Sequence, residues 1–291
     1  MIKLILLLST VFLSHMLYAQ DHNITLWGDK VPNAKKSNTE EMLELSDTRR
    51  ISKVVNPTIE VYLPSKSNSI KKAILICPGG GYGILAYDKE GTDIAKWLNG
   101  HGIAGIVLKY RLPEDESNIV PHESPLMDAK RGMEIIRENA SSWGIAADQI
   151  GIMGFSAGGH LASTLGTHFE EKNRPDFMIL IYPVVTMKDD YTHKGSRNNL
   201  LGQQPSDDLV ELYSNELQVK SSTPATFIVH SEDDKAVPVD NSLQFYKALR
   251  DSNVPAEMHI FPFGGHGYSL AIGKGRHSTW PNLMIDWIGE L

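Results

Sequence analysis

The sequence predicts an α/β fold: a mostly parallel, twisted sheet with helices on both faces. Two observations predict it. Short β-rich runs alternate with stretches of helical periodicity along most of the chain, the order that strand–helix–strand units produce. In addition, the run Gln149-Ile150-Gly151-Ile152-Met153 leads straight into Gly154-Phe155-Ser156-Ala157-Gly158 and then into a helical stretch at 159–165. A buried strand, a tight turn and a helix thus follow one another without a gap.

The elements can be justified in order from the N-terminus. Residues 1–19 read as a signal peptide. Lys3 supplies a positive charge, residues 4–13 are apolar apart from Ser9 and Thr10, and Ala19 offers a small residue for cleavage before Gln20. The apolar run is too short to span a bilayer comfortably, and no cysteine lies near the cut to carry a lipid. Export to a periplasm or beyond is expected, with no membrane anchor. Residues 20–56 are expected to be an N-terminal extension. Residues 57–291 are expected to form one domain, since about 270 residues after the leader suit a single large α/β unit.

Within that domain, 58–63 alternates as an early strand near the sheet edge, and 72–77 reads as a buried strand. A helix is expected at 91–98 and a strand at 103–109. Leu126, Met127, Met133 and Ile136 fall at helical spacing within 124–139. Strands follow at 177–182 and 225–230, a helix at 239–249, a last strand at 257–261 and a closing helix at 280–288. The stretch 186–223 breaks the rhythm, being polar and without strong periodicity between two strands. A connection this long in a compact domain is usually functional or disordered, and it is expected to fold as a small helical cap over the site, the alternative being a solvated insertion with no role.

Composition excludes several classes. A net charge of −7 leaves no basic footprint for nucleic acid. Cys77 is the only cysteine, so no internal disulfide forms, and its place at a strand end reads as a buried small hydrophobe. No His-x-x-x-His pair or cysteine cluster suggests a metal, and neither phosphate-binding glycine pattern is present. No cofactor is expected.

The chemistry centres on Ser156. In a strand–turn–helix this tight, the residues two before and two after the serine lie against neighbouring backbone, and glycine at 154 and 158 avoids the clash. The turn lifts Ser156 Oγ off the sheet and aims the free N–H groups of the helix start at the same spot. A serine hydroxyl needs a base to take its proton, and in this arrangement an acid and then a histidine follow in chain order. One expected strand end opens into Ser231-Glu232-Asp233-Asp234, and another into Gly264-Gly265-His266-Gly267. Both loops lie at strand carboxyl ends, where ligand and catalytic groups gather in open α/β sheets. Asp233 and Asp234 compete for the acid role, and local physics does not separate them. His160, one helical turn after Ser156, is expected to point away from Oγ. The amide of Ala157 and the loop Pro78-Gly79-Gly80-Gly81-Tyr82 would supply donors for a developing oxyanion, through Gly80 or Gly81. Tyr82 reads equally as a wall of the acyl side or as a packing aromatic.

These pieces together resemble the α/β-hydrolase superfamily, on the side of the small exported bacterial esterases, the acetylxylan esterase and hormone-sensitive-lipase-like group. The matching segments are Pro78 to Tyr82, Gly154 to His160, His230 with Asp234, Val237 and Pro238, and Gly265-His266-Gly267. The resemblance covers roughly residues 57–290. It selects Asp234 over Asp233, and it implies a Ser156–His266–Asp234 triad with Gly80, Gly81 and Ala157 at the oxyanion. The chain departs from many relatives at Pro78, where they carry histidine before the glycines, so the support of that loop is expected to differ. The implied activity is hydrolysis of short, acetyl-type esters on carbohydrate such as acetylated xylan, with an oligo- or polysaccharide as partner. A serine aminopeptidase, a generalist carboxylesterase and a non-catalytic carbohydrate-binding protein are the competing readings.

Overall fold

The structure is a computed structural model and describes residues 21–291. The leader expected at 1–19 lies outside the described residues. In chain order the strands are β1 (His22–Thr25), β2 (Met42–Leu45), β3 (Arg49–Ser52), β4 (Thr58–Tyr62), β5 (Ala73–Cys77), β6 (Leu85–Ala86), β7 (Ala104–Lys109), β8 (Ile150–Phe155), β9 (Phe177–Ile181), β10 (Ala225–Ser231) and β11 (Ala256–Phe261). The α-helices are α1 (Asp93–Gly100), α2 (Ser124–Trp143), α3 (Ala157–His168), α4 (Lys194–Leu201), α5 (Asp207–Leu212), α6 (Asp240–Asp251) and α7 (Trp280–Glu290).

The main sheet runs β1-β4-β7-β5-β8-β9-β10-β11. It is parallel from β7 to β11, and β4 pairs antiparallel with both β1 and β7. Strands β5, β8 and β9 are buried along their whole length, which is why they read as apolar runs rather than alternations: helices cover both faces of a parallel sheet. Cys77 ends β5 fully buried, opposite Gly154 of β8, so the loops leaving these two neighbours rise side by side. Helix α2 has proline in its first turn and stops at Gly144, whose φ of 70° gives the left-handed cap that ends many helices.

One part differs from the sequence reading. Residues 20–56 were expected as an extension outside the domain, yet β1 adds an edge strand to the sheet, so the 58–63 strand lies one place inward. Trp27 Nε1 donates to Asp128 Oδ1 at 2.8 Å, and Arg111 donates to Pro32 O at 2.6 Å while gripping the same Asp128 carboxylate. Both ion-pair partners are buried, and these extra hydrogen bonds give each of them partners beyond the pair, as a buried pair requires. The segment also forms the β2–β3 hairpin, which pairs with β6 in a small second sheet. The 186–223 stretch contains α4, α5 and a 3₁₀ turn at Asn215–Leu217. Asn215 Nδ2 bonds Ser163 Oγ and Thr164 Oγ1 on α3, and Asn199 Nδ2 donates to Gly81 O at 2.9 Å. The insertion therefore rests on α3 and on the glycine loop after β5.

Candidate active site

Ser156 sits between β8 and α3 with φ 53° and ψ −119°, a conformation that costs a side-chain-bearing residue on the order of 1–3 kcal/mol. Its own backbone bonds hold it there: the N–H donates to Ile181 O at 3.1 Å, and the carbonyl accepts from Val184 at 3.0 Å and His160 at 3.1 Å. A Cβ on Gly154 would lie 2.0 Å from Gly158 O, and one on Gly158 would lie 2.0 Å from Cys77 O. Both obstacles are buried backbone, one in the first turn of α3 and one at the end of β5, and neither is the far end of a flexible side chain. Gly158→Ala is therefore expected to yield no correctly folded protein, read by soluble yield and thermal unfolding. A folded variant melting within about 2 °C of the parent would contradict this geometry.

The structure brings Ser156, His266 and Asp234 together. His266 Nε2 lies 2.9 Å from Ser156 Oγ, and His266 Nδ1 lies 2.6 Å from Asp234 Oδ2. The carboxylate can only accept, so Nδ1 carries the proton and Nε2 is left to accept from the serine hydroxyl. Asp234 Oδ1 accepts from the N–H groups of Ala236 and Val237, each at 2.9 Å. Burial by itself would raise the Asp234 carboxyl. The hydrogen bonds from His230 and His266, with the charge of His266 and the backbone donor, outweigh it and hold the group well below the usual carboxylate range. Asp233 turns outward, and its Oδ1 accepts from Gly265 N–H at 2.8 Å, bracing the loop that carries His266. The choice between the neighbouring aspartates is thus geometric: one faces the imidazole, the other its loop.

In the loop after β5, the carbonyls are all tied down. Gly79 O accepts from Ala86, Gly80 O from Gly83 and Ile84, and Gly81 O from Asn199. Gly79 N–H is also committed, donating to Glu90 Oε2 at 2.8 Å. The next amides, those of Gly80 and Gly81, remain as candidate donors beside the first-turn amide of Ala157, which no helix carbonyl can satisfy. Support at the Pro78 position comes from Tyr110, whose hydroxyl donates to Pro78 O at 2.7 Å. Tyr82 is 2 % exposed and packs inward, with its hydroxyl 2.8 Å from His160 Nδ1.

His160 is buried and turned away from Oγ. Nε2 faces Tyr213 O at 2.8 Å, so the proton sits on Nε2 and Nδ1 accepts from Tyr82; burial pushes the ring down to about 4, which keeps it neutral. It links α3 to both the glycine loop and the insertion. Several further residues support the site. His230 Nε2 reaches Val237 O at 3.0 Å and Asp234 Oδ2 at 3.3 Å. His193 caps α4 next to the glycine loop, and burial together with the charge of His266 lowers its affinity for a proton. Glu90 and Tyr182 lie beneath the site. His230 is marked only through the resemblance, by its spacing to Asp234 and Val237, whereas a glutamate in a polar turn carries no pattern that marks it. The clefts lined by Leu63 and Trp143, and by Met258 and Leu283, contain none of the three central residues, so chemistry rather than volume locates the site. Among the described residues, no cluster of His, Cys, Asp or Glu could hold a metal, and no helix is long and apolar enough to cross a membrane.

A model of the BD-FAE family matches residues 59–249. The chain belongs to the BD-FAE family. It is 39% identical over 234 residues to an acetylxylan esterase of Xylanibacter ruminicola, covering 79% of this chain and 47% of that protein. It is 38% identical over 228 residues to endo-1,4-beta-xylanase B of Butyrivibrio fibrisolvens, covering 74% of this chain and 35% of that one. The chain thus spans less than half the length of these curated relatives. Among solved structures, the acetyl ester-xyloside bifunctional hydrolase of Caldicellulosiruptor lactoaceticus superposes with a TM-score of 0.82 at 35% identity, over 94% of this chain and 98% of that one. This BD-FAE member has the α/β-hydrolase fold, with the candidate serine, acid and histidine on loops after β8, β10 and β11.

Proposed function

We propose that this BD-FAE chain is a serine carboxylesterase that removes short acyl groups, acetyl foremost, from esterified carbohydrate such as acetylated xylan. The observation that carries the reading is the continuous line from Ser156 Oγ through His266 to Asp234, at 2.9 Å and 2.6 Å. Ser156 Oγ attacks the ester carbonyl while His266 Nε2 takes its proton. Asp234 keeps the imidazole oriented and stabilises its charged form. Ala157 N–H, with Gly80 or Gly81, donates to the oxygen that becomes negative. His266 then protonates the departing sugar oxygen, and a water molecule repeats the sequence to release the acid. The names of the acetylxylan esterase and of the acetyl ester-xyloside hydrolase support a carbohydrate ester, and export through the expected leader would put the enzyme where such polymers are.

The test is an acyl series. Each buried methylene would add about 0.8 kcal/mol of binding if a pocket accepted it, so an open pocket predicts a rise with chain length. The expected result is that kcat/KM falls from p-nitrophenyl acetate to butyrate to octanoate, with acetate released from acetylated xylan and no cleavage of aminoacyl-p-nitroanilides. A steady rise along the series would instead mark a generalist carboxylesterase, and anilide cleavage an aminopeptidase.

A further inference from the structure

Glu90 lies in the turn before α1, 6 % exposed, and the mechanism above makes no use of it. A buried carboxylate is costly unless it is well hydrogen-bonded. Glu90 Oε2 accepts from Gly79 N–H at 2.8 Å, at the root of the oxyanion loop. Glu90 Oε1 accepts from Tyr182 Oη at 2.8 Å. Tyr182 Oη in turn accepts from Ser269 N–H at 3.0 Å, three residues beyond His266, and the tyrosine ring packs 4.8 Å from the imidazole. Tyr182 directly follows Ile181, whose carbonyl holds Ser156 N–H, and has a positive φ of 38°. One carboxylate is thus bonded into the oxyanion loop and, through a single phenol, into the histidine loop, with the nucleophile's turn between them.

We propose that Glu90 is a positioning residue that locks the Gly79–Gly81 loop and the His266 loop in register about Ser156. The proposal rests on the esterase reading of the site. Both carboxylate oxygens face donors, which suits the ionised form, and the charge lies near enough to act on His266. Burial raises the Glu90 carboxyl above its ordinary value, and the bonds from Tyr182 and Gly79 N–H, with the charge of His266, offset only part of that rise. The other titratable groups around the pair are Tyr110 beside Glu90, Asp234 and His193 beside His266, Asp233 on the Gly265 amide, and Tyr268 packed on Tyr182.

The test uses Glu90→Gln, which preserves shape but sets an N–H₂ against one of two donors and removes the charge. The expected result is a folded enzyme with KM for p-nitrophenyl acetate unchanged and kcat lowered about 100-fold, the scale of a small misplacement of reacting groups. The acid limb of its pH–rate profile is expected to move to lower pH, because a negative charge near the imidazolium is gone. A purely structural carboxylate would lower melting temperature without moving that limb. A kcat within about threefold of the parent, or an unmoved limb, overturns the proposal. If Glu90→Gln does not fold, Tyr182→Phe decides: it keeps the ring on His266 and cuts only the link, so kcat should fall about tenfold at constant KM, and an unchanged kcat overturns the proposal. Turnover of Ser156→Ala within tenfold of the parent would sink the serine-esterase reading itself, so the two failures are distinguishable.

Discussion

Ser156→Ala is expected to fold as the parent does and to lose esterase turnover by on the order of 10⁶-fold, the scale of removing the nucleophile from a triad. The folding half of this expectation comes from the backbone. Ser156 is held by its N–H to Ile181 and its carbonyl to Val184 and His160, and alanine keeps all three. Only Oγ, 2.9 Å from His266 Nε2, is lost. Circular dichroism and thermal unfolding check the fold, and p-nitrophenyl acetate hydrolysis checks the turnover. Activity within tenfold of the parent would remove Ser156 as nucleophile.

Asp234→Asn is expected to cost about 10⁴-fold in kcat, and Asp233→Asn to be mild. Asparagine at 234 can turn its amide N–H₂ toward His266, which pushes the imidazole proton to Nε2 and leaves no lone pair for the serine hydroxyl. Asp233 accepts from Gly265 N–H, a bond that asparagine's oxygen can still accept. The reverse ranking would show that the wrong neighbour had been assigned. The same substitution has a stability signature. The folded-state carboxyl of Asp234 is held below its ordinary value, so its contribution to stability is fully present above the unfolded value of about 3.9 and fades as pH falls through the folded one. The gap in unfolding free energy between the parent and Asp234→Asn should therefore be widest near neutral pH and narrow in strong acid. A gap independent of pH would mean that Asp234 is not stabilised as an anion.

The sequence is most legible where one physical requirement dominates a short segment. Strands β5, β8 and β9 are apolar because both faces are covered, and the elbow around Ser156 shows itself because glycine is demanded at 154 and 158 by backbone 2.0 Å away. The order of serine, acidic loop and histidine loop is likewise visible, since each follows a β-rich run. The elements missed are those without such a requirement. Strand β1 is four residues long and mostly exposed, too short for an alternation to register, and it exists because β4 offers it an edge. The helices of 186–223 are expected from the sequence as a cap but without bounds, since they are short, with α4 and α5 held by contacts to neighbouring segments and by side-chain caps at His193 and Ser206 rather than by an apolar stripe.

What the sequence by itself determined about this protein is the α/β alternation, the buried strands and the candidate residues Ser156 and His266, since these follow from local periodicity and steric need. Between Asp233 and Asp234 it offered only a resemblance. Tertiary structure decided that choice, because whether a carboxylate meets an imidazole 32 residues away depends on how β10 and β11 place their loops. It alone decided that Gly79 N–H is spent on Glu90 while the next amides are left over, and that Tyr82 turns inward to His160. Hydrogen bonds between segments 11 to 110 residues apart leave no periodic trace in the chain. They are set by where the sheet brings loops together.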